Sequence, residues 1–143
     1  MVDDYEPFRR FLCSMLRERP ELHVVGEASD GLEAVQKAEA LRPDLILLDV
    51  GLPTLNGIEA ARNIRRLVKK SKIVIVSQES SADVVQEAFR VGARGYVVKT
   101  DAGSKLLTAV DAVLRGETFA SSRLAERDSA GLLSSFPVKG TLF

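Results

Sequence analysis

Asp44-Leu45-Ile46-Leu47-Leu48-Asp49-Val50-Gly51-Leu52-Pro53 is the stretch that decides the fold. Its consecutive large aliphatics read as a strand buried on both faces, which a parallel sheet covered by helices requires. The run ends on Asp49, and the breakers Gly51 and Pro53 follow at once, so this carboxylate stands where strand becomes loop. Open α/β sheets bind their ligands in the crevice beyond the carboxyl ends of the strands. Asp49 is therefore a candidate site residue as well as a plain strand terminator.

Working outward, the same alternation of helix and strand recurs. Phe8, Phe11, Leu12, Met15 and Leu16 fall on one helical face, with Pro7 in the first turn and Pro20 beyond the end. Leu22–Ala28 reads as a short strand. Asp30 with Glu33 and Asn56 with Glu59 have the spacing of capping boxes, each opening a helix. Ile73-Val74-Ile75-Val76 is a second buried strand, ending on Ser77. Ser80 or Ser81 caps the helix that carries Val84, Val85, Ala88 and Phe89. Gly95-Tyr96-Val97-Val98 is a further strand, ending on Lys99, and Leu106 to Leu114 gives the last clear helix. Strands recur at intervals of roughly 22 to 28 residues, as right-handed βαβ crossovers would place them. The expectation is a doubly wound parallel α/β sheet over residues 1–118, with an irregular or partly disordered extension over 119–143.

Composition narrows the function. The chain has 143 residues, the size of one domain, and its 20 basic and 20 acidic side chains cancel. No basic excess points to nucleic acid or to a membrane surface. The single Cys13 excludes an internal disulfide and reads as a structural thiol, and His23 reads as a packed or surface imidazole. With no run of about 18 apolar residues and no basic-then-apolar leader, a soluble, cytoplasmic protein is expected.

Taking the last residue of every strand collects an unusually polar set: Asp3 and Asp4, Asp49, Ser77 and Lys99. Strands about 4.8 Å apart would bring three carboxylates and one ammonium into a single crevice. Carboxylates that close stay ionised only with positive charge among them. Mg²⁺, which takes one or two carboxylates with water and phosphate oxygens, suits the set. The arrangement fits attack of a carboxylate on a phosphoryl group.

Asp3-Asp4, Asp49 with Pro53 and Gly57, Ser77, and Tyr96-Val97-Val98-Lys99, in that order and on those strands, resemble the receiver domain of two-component response regulators. Asp30-Gly31-Leu32-Glu33-Ala34 and Gly92-Ala93-Arg94-Gly95-Tyr96 look most like the branch that includes LuxR- and NarL-type regulators. The resemblance implies a flavodoxin-like, five-stranded sheet of order 2-1-3-4-5. It implies phosphorylation of Asp49 by a histidine kinase or phosphotransfer protein. Asp3, Asp4, Asp49 and the Gly51 carbonyl would hold Mg²⁺, and Lys99 a phosphoryl oxygen. Ser77 and Tyr96 would relay the change to the surface of the fourth helix, fifth strand and fifth helix, which leaves room for a homodimer there. On this reading the protein is a switch that catalyses only its own phosphorylation. The alternatives are the receiver portion of a LuxR-type DNA-binding regulator, an aspartate-nucleophile phosphohydrolase, and a pseudo-receiver that binds partners without phosphate.

Three features depart from the family pattern. Only Met1 and Val2 precede the first acids, so the opening strand is truncated, and the tail around Leu132-Leu133 or Val138 is a candidate to fill its slot. Gln78 follows Ser77 where the family has a small residue, and should narrow access to Asp49. No helix-turn-helix follows, so this chain is not itself expected to bind DNA.

Overall fold

A computed structural model describes residues 1–121 and 140–143. Each buried run becomes a strand: β1 Leu22–Val24, β2 Leu45–Leu48, β3 Lys72–Ser77, β4 Gly95–Val98, β5 Phe119–Ala120 and β6 Gly140–Leu142. Between them lie α1 Glu6–Leu16, α2 Gly31–Leu41, α3 Gly57–Leu67, α4 Ala82–Arg90 and α5 Ala102–Leu114. All ladders are parallel, in the order β1-β6-β2-β3-β4-β5.

Strand alternation sorts the core into two layers. Leu45, Leu47, Val74 and Val76 pack with α1 and α5 through Leu12, Leu16, Leu106 and Val110. Ile46, Leu48, Ile73 and Ile75 point the other way, against α2, α3 and α4 through Ala34, Ala38, Ile64 and Ala88. The helices start where expected. Asp30, Asn56 and Ser81 accept the amides of Glu33, Glu59 and Val84, satisfying N–H groups that the first turn leaves without partners. In the first box Glu33 reaches back to the amide of Ser29, one residue before the cap.

The doubly wound, flavodoxin-like arrangement stands, with six strands in place of five. Phe119–Ala120 adds a short strand outside β4, so Tyr96 is not on an edge. The slot expected for the opening strand is shared by Met1–Val2 and Gly140–Leu142. Met1–Val2 supplies only isolated bridges, from Val2 to Ala28 and Leu48. Gly140–Leu142 completes the slot, paired with β1 at Leu22, His23 and Val24 and with β2 at Leu45. Residues 119–120 and 140–142, expected in an irregular extension, are thus part of the sheet, while Leu132-Leu133 and Val138 lie outside the described residues. Leu142 and Phe143 are fully buried, each worth about 1.5–3 kcal/mol of apolar transfer.

Candidate functional site

The carboxyl ends of β2, β3 and β4 and the turn after Val2 open onto one crevice of about 810 Å³, lined by Asp4, Asp49, Gly51, Ser77, Gln78 and Lys99 among others. Asp49 leaves β2 with its amide bonded to the Val2 carbonyl at 3.0 Å. Its Oδ1 accepts from the Gly51 amide at 3.4 Å, which curls the loop back over the strand end. The start of α3 presses on this loop so closely that a Cβ at Gly57 would lie 1.9 Å from the Asp49 carbonyl oxygen. Only glycine fits there. The loop also holds Thr54 at φ 68°, a left-handed conformation that a β-branched residue adopts only under constraint.

Asp3 is 2 % and Asp49 7 % exposed, while Asp4 faces solvent. One oxygen from each of the three lies within 4.8 Å of the others. Lys99 Nζ sits 2.7 Å from Asp3 Oδ2 and 3.3 Å from Asp49 Oδ2. The other Asp3 oxygen accepts the Tyr5 amide at 2.9 Å. Burial pushes the Asp49 carboxyl above the usual carboxylate range against the pull of Lys99, and the charge of Asp3 pushes the same way. Burial alone would lower Lys99, but its bond to Asp3 and the charge of Asp49 outweigh that and hold its pKa above the ordinary lysine value. Three acids against one ammonium, two of them buried and Asp4 at the solvent edge, give a site rich in oxygen donors. That donor set fits a small hard divalent cation such as Mg²⁺.

The remaining expected residues meet at the same rim. Ser77, buried at the end of β3, accepts the Glu79 amide on its Oγ at 3.1 Å. Tyr96 has its ring fully buried, and its hydroxyl donates to the Glu79 carbonyl at 2.6 Å. Burial raises the phenol pKa, with the charges of Glu79 and Asp49 adding to it. Tyr96 is thus inward-facing already, tied to Ser77 through one residue of backbone. Gln78 is exposed and lines the crevice.

Two contributors escape a reading by sequence. Phe8 looks like an ordinary core position of α1, yet its ring lies 4.6 Å from Lys99 Nζ, a cation–π contact. Glu79 gives the loop after β3 its role through backbone atoms, which leave no trace in side-chain type. Cys13 and His23 stay outside the site. The thiol is half-buried and pushed up by burial, and the imidazole is on the surface of β1. Among the described residues no helix is long and apolar enough to cross a membrane.

A family model for the response regulator receiver domain matches residues 1–111. The transcriptional regulatory protein LiaR of Bacillus subtilis is 35% identical over 125 residues, covering 87% of this chain and 59% of that protein. The DNA-binding transcriptional activator DevR/DosR of Mycobacterium tuberculosis is 40% identical over 125 residues, covering 87% and 58%. The crystal structure of a LuxR-family two-component response regulator from Aurantimonas sp. superposes with a TM-score of 0.80 at 34% identity, over 85% of this chain and 86% of that one. The chain spans about three-fifths of the length of the curated relatives.

Proposed function

The chain belongs to the response regulator receiver family, and from that premise we propose that Asp49 is its phosphoacceptor, charged by a histidine kinase or phosphotransfer protein. A carboxylate oxygen of Asp49 attacks phosphorus, the P–N bond to the donor imidazole breaks, and the departing nitrogen keeps the electron pair and takes a proton. Lys99, already between Asp3 and Asp49, supports the charge on the phosphoryl oxygens as a point cation. Asp3, Asp4 and Asp49 would hold Mg²⁺, with the Gly51 carbonyl as a further oxygen. The ion supplies positive charge to the carboxylates and to the transferring group.

The observation that carries this reading is the lysine bridge between two buried carboxylates, Asp3 and Asp49, from separate segments of the chain. Ser77 and Tyr96 are the relay. A phosphoryl group on Asp49 competes for the Ser77 hydroxyl, which shares the Glu79 backbone with Tyr96, and the change passes to the surface of α4, β4 and α5. That surface is where a homodimer would form. The setting is cytoplasmic, and the receiver body is residues 1–120 with β6.

The test is uptake of beryllofluoride or an acyl phosphate by the full chain. Uptake depends on Mg²⁺ and is lost in Asp49→Asn. Undiminished uptake by that variant removes Asp49 from its role. A second reading, the receiver portion of a LuxR-type DNA-binding regulator, draws on the relatives' names and on the partial span. Salt-sensitive duplex binding by this chain in a gel shift would give it DNA recognition of its own.

A further inference from the structure

We propose that Gly140–Phe143 is a positioning element for the acidic pair Asp3-Asp4, and that docking of this segment and loading of the site strengthen each other. The proposal rests on the reading of the site given above.

The central strand is one strand built from two ends of the chain. Leu142 packs into the layer of α1 and α5, Phe143 into the layer of α2, α3 and α4, Met1 into the first and Val2 into the second. The two-residue period of a strand therefore runs from the last residues into the first without a skip. The hydrogen bonds to β2 run on in the same way. Phe143 donates to the Leu45 carbonyl at 2.6 Å, and Leu47 donates to the Phe143 carbonyl at 2.6 Å. Val2 then donates to the Leu47 carbonyl at 2.9 Å, and Asp49 to the Val2 carbonyl at 3.0 Å. An uninterrupted parallel strand makes this ladder.

On the other side, Val25 donates to Leu142, Met1 to Gly26, Ala28 to Met1 and Asp3 to Ala28, with an offset of one residue at Val25–Gly26. That offset is a bulge. The segment has a side-chain anchor too. Asp44 Oδ2 accepts both the amide and the hydroxyl of Thr141, at 2.8 and 3.0 Å.

The consequence falls on the site. Asp3 follows Val2 directly, and the Asp49 amide hangs from Val2, so Val2 sets the spacing between two of the three carboxylates. Val2 itself pairs only through isolated bridges, to Ala28 and Leu48. Phe143, in line behind Met1, supplies the rest. The occupant can be this same chain. β5, which ends one residue before Ser121, and β6, which begins at Gly140, are four strand spacings apart, roughly 19 Å, within the contour length of the chain between them. By linkage, what docking adds to the affinity of the site, loading must add to docking.

The experiment titrates beryllofluoride with Mg²⁺ into the full chain by ¹⁹F NMR and follows amide exchange before and after. Phe143→Ala should need about tenfold more beryllofluoride. Val113→Ala, a core truncation in α5 that packs at Gly95, at the opposite end of β4 from Lys99, should load like the parent chain. Loading of the parent chain should slow exchange at the Thr141 and Phe143 amides by a matching factor. Equal loading by Phe143→Ala overturns the proposal, and so does exchange at Thr141 and Phe143 that is indifferent to loading. Should Phe143→Ala fail to fold, the exchange measurement on the parent chain decides alone. A parent chain that takes up no beryllofluoride at all overturns the reading of the site, and this proposal with it.

Discussion

The two flanks of β2 are held in different ways. On one side Leu45, Ile46, Leu47 and Leu48 pair with Lys72, Ile73, Val74 and Ile75 in a single register, joined by the one crossover through α3. On the other side the partners are Gly140–Phe143 and then Met1–Val2, two segments far apart in sequence. Both flanks satisfy the backbone of β2 and bury apolar side chains. They differ in what must already be formed. The β3 flank closes a loop of ordinary βαβ length, whereas the β6 flank joins segments at opposite ends of the sequence. Asp49, the proposed phosphoacceptor, is delivered by the first flank and matched to Asp3 by the second. The strand is secure, and its alignment with the acidic pair is conditional.

The largest way to break this comparison is to remove the side chain that fills the conditional flank. Phe143 is fully buried among α2, α3 and α4 residues. Phe143→Ala should cost about 3–5 kcal/mol in denaturant unfolding, against about 1 kcal/mol for Ile75→Val on the opposite flank. If Phe143→Ala costs no more than an exposed substitution, the segment does not dock in solution and the flank is empty.

Acid should separate the flanks next. The α-amino group of Met1 lies at the joint, and burial lowers its pKa from 8.0 to about 5, with Cys13 and Glu27 opposing the shift and Arg9 and Lys37 adding to it. Between those values the unfolded chain holds a proton that the folded one does not, so stability rises with pH through the window and falls on acidification. A shift of 8.0 to about 5 sets an upper bound of about 4 kcal/mol across the window. Asp49, pushed upward by burial, works in the opposite direction. The contribution of Met1 is therefore isolated by difference. Unfolding free energies at pH 8 and pH 5 should converge in chains acetylated at Met1 relative to the free amine. Equal pH dependence with and without the acetyl group would show that the amine is hydrated. The β2–β3 ladder has no titratable side chain between Leu45 and Leu48 or between Ile73 and Ile75, so nothing comparable acts there.

The same contrast explains how much was legible in the sequence. Leu45–Leu48 and Ile73–Val76 announce themselves because each strand is a contiguous apolar run bounded by breakers, and the polar residue ending each run lands at the crevice. Asp3, Asp4, Asp49, Ser77 and Lys99 are found together for that reason. Gly140–Phe143 was not legible. Four residues are too short for a period to register, and the alternation that gives them meaning continues into Met1 and Val2, a relation that no window along the chain contains. The spacing of Phe8 places it on an apolar helix face, but its contact with Lys99 depends on how α1 lies over the strand ends. The full burial of Tyr96 depends on β5, whose two residues, Phe119 and Ala120, carry almost no strand signal yet remove β4 from the edge.

The smallest effect gives the finest test of the conditional flank. Thr141 donates from both its amide and its hydroxyl to Asp44, whose pKa is lowered first by the bond from the Thr141 amide, against its burial, and further by the hydroxyl and by Lys70. Thr141→Val keeps the shape and the amide bond and removes only the hydroxyl, so the segment should stay docked at a cost of about 1 kcal/mol. Because the folded pKa of Asp44 lies below its ordinary 3.8, its contribution is present above that value and disappears as pH falls through the lowered one. The variant should narrow that shift, bringing the Asp44 carboxyl closer to its ordinary value in a ¹³C titration. An Asp44 titration identical in Thr141→Val and the parent chain would mean that the hydroxyl is not held by the carboxylate, and that Gly140–Phe143 is fixed by its backbone and by the buried side chains of Leu142 and Phe143 alone.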